Sequence, residues 1–203
     1  MSDFFYPVSK SKAEKEVKKS KFISYVFPCP DEIQAKDKIR ELKLEHKNAA
    51  HVVYGFAAGF NNNFTKGMSD DGEPSGTAGK PVLSIIEGNS LVNILVVVVR
   101  YFGGIKLGTG GLVKAYSESA NLAIQNAKFK KFVHEKKVKI NFPYDYLGPV
   151  QGYLKSEKIR IENENYSEDV ELCIFLEEET LDEILLKIKD ITSGNVCLSV
   201  LSN

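Results

Sequence analysis

The sequence predicts a two-domain α+β protein, and three features of its pattern carry that prediction. Residues 94–99, ILVVVV, form an unbroken aliphatic run that stops at Arg100. A run this short and continuous is a strand buried on both faces. Residues 126–137, NAKFKKFVHEKK, are basic and break the periodic pattern, which puts a boundary between a domain at 1–134 and a second at 135–203. Beyond it the apolar spacing changes period in the order strand, helix, strand, strand, helix, strand. That βαββαβ order is the split arrangement of ferredoxin-like folds.

The elements follow from local pattern. Residues 21–27 alternate into apolar and aromatic side chains and end at Pro28 and Pro30, as a strand entering a turn does. Asp31 suits a helix N-cap, and Ile33, Ala35, Ile39 and Leu42 give an apolar stripe through about residue 47. HVVYGFAAGF at 51–60 is β-branched and aromatic, hence a second strand. Residues 61–79 are rich in Asn, Asp, Gly, Ser and Thr and read as one long loop, unusual in a compact domain unless it has a task. Residues 80–87 are expected to be helical and 91–102 to be the buried strand. Glycines at 103, 104, 108, 110 and 111 then lead into a helix at 112–127, with Leu112, Tyr116, Ala120 and Ala123 at helical spacing. In the second domain strands are expected at 138–142, 159–163, 170–176 and 196–201. Helices are expected at 146–157 and from Leu181 to Ile191, the latter capped by Thr180 and ended by Gly194. No internal repeat is visible.

Composition narrows the function classes. The 203 residues are 43% hydrophobic and 27% charged, as in ordinary globular proteins. A chain of this length buries about 70% of its unfolded surface, so it needs no disulfide to hold it. No aliphatic run approaches the roughly 20 residues of a spanning helix. The start, MSDFFYPVSKSK, lacks the apolar core of a secretory signal, so the expected location is cytoplasmic, with no membrane partner. Cys29, Cys173 and Cys197 are odd in number, widely spaced and read as free thiols. The glycosylation-type triplets at Asn63 and Asn165 therefore carry no meaning. The formal charge is zero, yet residues up to His134 hold 19 basic against 13 acidic side chains and the remainder 8 against 14. The halves sit near +6 and −6, so a polyanion partner, RNA or the ribosome, would meet the first. Two unlike domain surfaces account for the asymmetry equally well.

Two constellations could carry chemistry. The first is SDDGEPSGTAG at 69–79, three carboxylates followed by a helix start. Asp70, Asp71 and Glu73 could hold a hard cation or act as acid and base. The other reading is structural: Asp-Gly makes a turn, Ser75 or Thr77 caps the helix, and one acid pairs with a base such as Arg100. A polar recognition surface using Ser75 and Thr77 is a third. The second constellation runs from Arg100 and Tyr101 through Gly103, Gly104, Lys106, Gly108, Gly110 and Gly111 to Lys114. Strand, glycine-rich turn and helix start place backbone N–H groups where an anion could bind, and Arg100, Lys106 and Lys114 are candidate phosphate contacts. The spacing fits neither G-x-G-x-x-G nor a Walker loop, so no cofactor is implied. The same glycines could serve only tight turns. His51 is a weak candidate base with no partner at metal-ligand spacing. No common hydrolase signature is present, and the sequence offers no complete catalytic set.

These same stretches, SDDGEPSGTAGKPVL and VVVVRYFGGIKLGTGGLVKAYSESA, resemble the signature of the IMPACT family in its bacterial, YigZ-like form. The likeness covers residues 20–127, and YDYLGPVQGYL at 144–154 fits the second domain of bacterial members. Val99 stands where many members have threonine. The resemblance implies a first domain folded like the second domain of ribosomal protein S5 and a second like the last domain of elongation factor G. Eukaryotic members regulate translation by competing for the activator of an amino-acid-starvation kinase, a pathway bacteria lack. The implied role is translation-associated regulation through RNA, the ribosome or a translation-related protein. The alternatives are a metal-assisted enzyme on a phosphorylated or peptide substrate, working through Asp70, Asp71 and Glu73, and a pure protein–protein adaptor.

Overall fold

A computed structural model describes residues 3–60 and 63–201. The chain is mixed α and β and divides into two compact units, Met1–Phe132 and Val133–Asn203. The first contains β1 (Phe4–Pro7), β2 (Ser11–Val17), β3 (Ser20–Pro28), α1 (Glu32–Glu45), β4 (His51–Phe60) and β5 (Asn63–Ser69). It continues with α2 (Gly79–Gly88), β6 (Ile94–Tyr101), α3 (Thr109–Gln125) and β7 (Phe129–Phe132). Five strands form one sheet in the order β2-β3-β6-β4-β5, each pair antiparallel.

The aliphatic run occupies the centre of that sheet, and its alternation divides the core. Ile94, Val96 and Val98 pack with Val82, Ile86, Leu112, Tyr116 and Ala120 of α2 and α3. Leu95, Val97 and Val99 pack with Ala35, Ile39 and Leu42 of α1. All six are fully buried, each such side chain contributing about 1.5–3 kcal/mol. Asp31 caps α1 as expected, accepting from Gln34 N at 2.8 Å.

The expected loop at 61–79 is shorter than that. Asn61 and Asn62 lie outside the described residues, Asn63–Ser69 is strand β5 paired with β4, and only 70–78 form a loop. NFTKGMS escapes the pattern because an edge strand needs little apolar surface and because Gly67 breaks the alternation. Gly67 is there because a Cβ would lie 2.4 Å from the Phe56 ring. β2 is another edge strand, SKAEKEV, in which only Ala13 is buried. β1 and β7 form a separate two-stranded sheet, Phe4 opposite Phe132, so the basic stretch read as a break is partly a strand.

The second unit runs β8 (Glu135–Phe142), α4 (Leu147–Ser156), β9 (Arg160–Tyr166), β10 (Val170–Glu177), α5 (Leu181–Ile191) and β11 (Cys197–Leu201). The order is βαββαβ and the antiparallel sheet is ordered β11-β8-β10-β9. Its core includes Val138, Ile140, Phe142, Val150, Leu154, Leu172, Ile174 and Ile188. Thr180 precedes α5 but does not cap it: its Oγ1 donates back to Glu177 O at 3.4 Å. Asp182 and Glu183 supply negative charge to the first turn instead. Gly194 ends the helix at φ +83°, donating to Lys189 O at 2.8 Å. The cysteines are free, and burial first, then Asp31, pushes the Cys29 thiol up to about 11, which keeps it unreactive. Among the described residues no helix is long and apolar enough to cross a membrane.

Candidate functional site

The last residues of β6 and the two loops flagged by the sequence meet in one region. Arg100 occupies the end of β6 with its side chain 6% exposed. Its Nη1 donates to Glu73 Oε1 at 2.6 Å and its Nη2 to Ser20 Oγ at 3.4 Å. The rings of Phe22 and Phe102 lie 5.6 Å and 5.5 Å from the guanidinium carbon. Tyr116 of α3 donates to the same Glu73 oxygen at 2.7 Å, and His51 Nε2 stands 3.7 Å from it. Burial first, then the Glu73 carboxylate, pushes the Tyr116 phenol well above its ordinary range, so it remains a donor. A buried ion pair with further hydrogen bonds thus joins β3, β6, α3 and the 70–78 loop. Arg100 is therefore no surface cation: its charge is spent on Glu73, the pairing that the structural reading of the acidic loop anticipates.

The other two acids are equally committed. Asp70 accepts from Gly76 N at 2.8 Å, Ala78 N at 3.0 Å and Gly79 N at 2.8 Å, so it caps α2. Neither Ser75 nor Thr77 does so, since Ala78 holds the N-cap position and Thr77 Oγ1 donates to Pro74 O at 2.6 Å. Burial raises the Asp70 pKa, but the three backbone N–H groups outweigh it and the net shift is downward. A lowered folded pKa gives stability that is present above the unfolded value of about 3.9 and lost as pH falls through the folded one. Replacing Asp70 with Ala is expected to cost about 2 kcal/mol at pH 7 in urea unfolding, the top of the range for caps, with the difference from the parent shrinking below about pH 4. Asp71, at φ +46°, accepts from Val52 N at 2.6 Å and pairs with Lys43, while its carbonyl takes a bond from His51 Nδ1 at 2.8 Å. His51 is thereby an orienting group between Asp71 and Glu73. Among the described residues no group of three His, Cys, Asp or Glu side chains could hold a metal.

The glycine-rich stretch has a different character. Gly103 N donates to Ser20 Oγ at 3.1 Å, and a Cβ on Gly103 would lie 2.0 Å from the carbonyl of Lys19, so the β2–β3 turn rests directly on it. Gly104 and Gly108 have φ of +84° and +74°, open to glycine at no steric cost. Gly108 precedes α3 without a side-chain cap, and Gly110 and Gly111 form its first turn. Tyr101 faces elsewhere: its hydroxyl meets His46 Nδ1 at 2.9 Å, and His46 Nε2 meets Tyr25 at 2.9 Å. Lys106 and Lys114 are exposed. Among the described residues Lys114 reaches only Glu118, at 3.9 Å, and Lys106 pairs with no acid. Phe102 and Ile105 on the same loop are 52% and 43% exposed. Of the sequence candidates, then, Glu73, Arg100 and His51 converge in the interior, Asp70 and Asp71 brace the loop, and Lys106 and Lys114 face outward. Ser20 and Tyr116 escaped notice, the first because a lone serine carries no signal, the second because it sits at an apolar helical position.

Comparison with known proteins shows the family of the chain. The model of the Impact N-terminal domain matches residues 18–124, and that of a domain of unknown function, DUF1949, matches 140–195. An IMPACT family member of Haemophilus influenzae is 34% identical over 202 residues, covering 99% of this chain and 98% of its own. The IMPACT family member YigZ of Escherichia coli is 33% identical over 199 residues, 98% of each chain, and YvyE of Bacillus subtilis 33% over 183 residues, 88% of this chain and 82% of its own. A solved structure titled only as that of a hypothetical protein superposes with TM-score 0.71 at 32% identity, covering 100% of this chain and 99% of its own. The chain belongs to the IMPACT family.

Proposed function

We infer that this protein is a translation-associated regulator that works by binding RNA, on the ribosome or free, through the glycine-rich face of its first unit. One observation carries the reading. The acids of the 70–78 loop are consumed by internal bonds, whereas Lys106 on the glycine-rich loop and Lys114 in the following helix α3 stand exposed. Family membership supports a translation-related role in general terms. The surplus of 19 basic over 13 acidic residues up to His134 favours a polyanion at this unit. The carboxylate loop, with each acid holding the fold, favours binding over catalysis.

The test is fluorescence anisotropy of a labelled 20-nucleotide RNA titrated with the full chain over a salt series. Binding is expected to weaken with salt, with a log–log slope of about −0.7 per phosphate contact on a single strand. Lys106→Ala with Lys114→Ala is expected to lower that slope by about 1.4. Absence of binding at low salt would overturn the reading and leave a protein partner as the next candidate.

A further inference from the structure

The turn that lies on Gly103 is built in an unusual way. Val17 pairs with Ser20, so Lys18 and Lys19 alone make the β2–β3 connection, at φ of +47° and +65°. Two positive φ values define a type I′ turn, where Asn-Gly is the favoured pair because a Cβ is penalised in the left-handed region. Lysine has no local reason to be at either position. Nor does the fold use the two charges: both residues are exposed, and neither pairs with a described carboxylate. Strain at a surface turn with no internal beneficiary points outward.

Its location supplies the direction. Ser11 of β2 donates to Ala123 O at 2.6 Å, and Lys15 pairs with Glu118 at 2.6 Å. Successive residues of β2 therefore meet α3 ever closer to its start, and the turn after Val17 comes level with its first turns. The Gly103 contact brings the same turn onto the glycine-rich loop, three residues before Lys106. Beside them Phe102 is 52% exposed, with its ring positioned against the Arg100 guanidinium at 5.5 Å.

We propose that Lys18, Lys19 and Lys106 contact the phosphates of a single-stranded nucleic acid while Phe102 stacks on one of its unpaired bases. The proposal rests on the RNA-binding reading and narrows it. Lysines beside an exposed aromatic ring fit a single strand, whose bases are free to stack, better than a duplex, whose bases are already stacked on one another.

The experiment uses the full chain, a fluorescein-labelled 20-nucleotide oligouridine and a 20-base-pair RNA duplex. Replacing Lys18 with Asn and Lys19 with Gly removes both charges but installs the residues the turn prefers, so this variant should melt at or above the parent's temperature. It is expected to bind oligouridine about tenfold more weakly, with the salt slope reduced by about 1.4. Phe102→Leu keeps apolar cover over Arg100 but removes the ring. It is expected to lose about fivefold or more in oligouridine affinity with the slope unchanged and duplex binding unaltered. If the parent binds and either variant binds oligouridine as the parent does, the proposal is overturned while RNA binding stands. If the parent binds no RNA at low salt, the reading beneath it falls as well.

Discussion

Glu73→Gln should lower the stability of the first unit by about 3–5 kcal/mol in urea unfolding, because it strands the Arg100 charge in the interior. The amide keeps the shape of the acid and still accepts from Tyr116, so the loss isolates the charge. Arg100 is held by Glu73 at 2.6 Å, with Ser20 at 3.4 Å as its other hydrogen-bond partner, and its Nε is buried without one. Solvent reaches 6% of the Arg100 side chain and 4% of Glu73, so water cannot replace the lost carboxylate. Arg100→Met alone leaves the carboxylate stranded and should cost a similar amount. The double variant should recover most of the loss, since a buried pair and a neutral replacement of like volume differ little. Losses that simply add would show the two groups to be energetically independent and refute the ion pair as the organiser of this region.

Gly103→Ala should be the most damaging single methyl group in the first unit. The added Cβ would come within 2.0 Å of the Lys19 carbonyl carbon and oxygen and 2.4 Å of Ser20 N, all backbone atoms that no rotamer change can move. The β2–β3 turn must lift, breaking the Gly103 N bond to Ser20 and loosening the Nη2 partner of Arg100. A cost at or above the upper end of the roughly 1–3 kcal/mol typical of overpacking is expected. Gly104→Ala is the matched control: nothing lies within 4 Å, and only its φ of +84° resists a side chain, for a cost of about 1 kcal/mol. Melting curves of the two variants check the difference, and equal losses would rule out the steric contact as its cause.

What the sequence disclosed follows the strength of the burial signal. β6 and the core strands β8 and β10 were legible because each carries a full apolar face, and the edge strands β9 and β11 were placed by the βαββαβ order around them. β2, β5 and the β1–β7 pair were not, since they bury little and no recognisable element order frames them. The site divides the same way. Three acids and a glycine run marked the place, but a sequence records no direction for a side chain. Asp70 rather than Ser75 or Thr77 caps α2 because the chain folds back across six to nine residues to meet it. Glu73 found Arg100 across 27 positions, and the Lys18–Lys19 turn found Gly103 across more than 80.

The pairing of β1 with β7 also sets an order of events during synthesis. Phe4 and its partner Phe132 are separated by nearly the whole first unit. At about 5–20 residues/s a ribosome takes roughly 6–25 s to travel between them. Every strand of the central sheet is made in that interval, β6 included, so the sheet can close while the first strand still waits. Phe5 can bond Ser90 and Val92 sooner, but the strand partner of these earliest residues is made last, just as the second unit arrives.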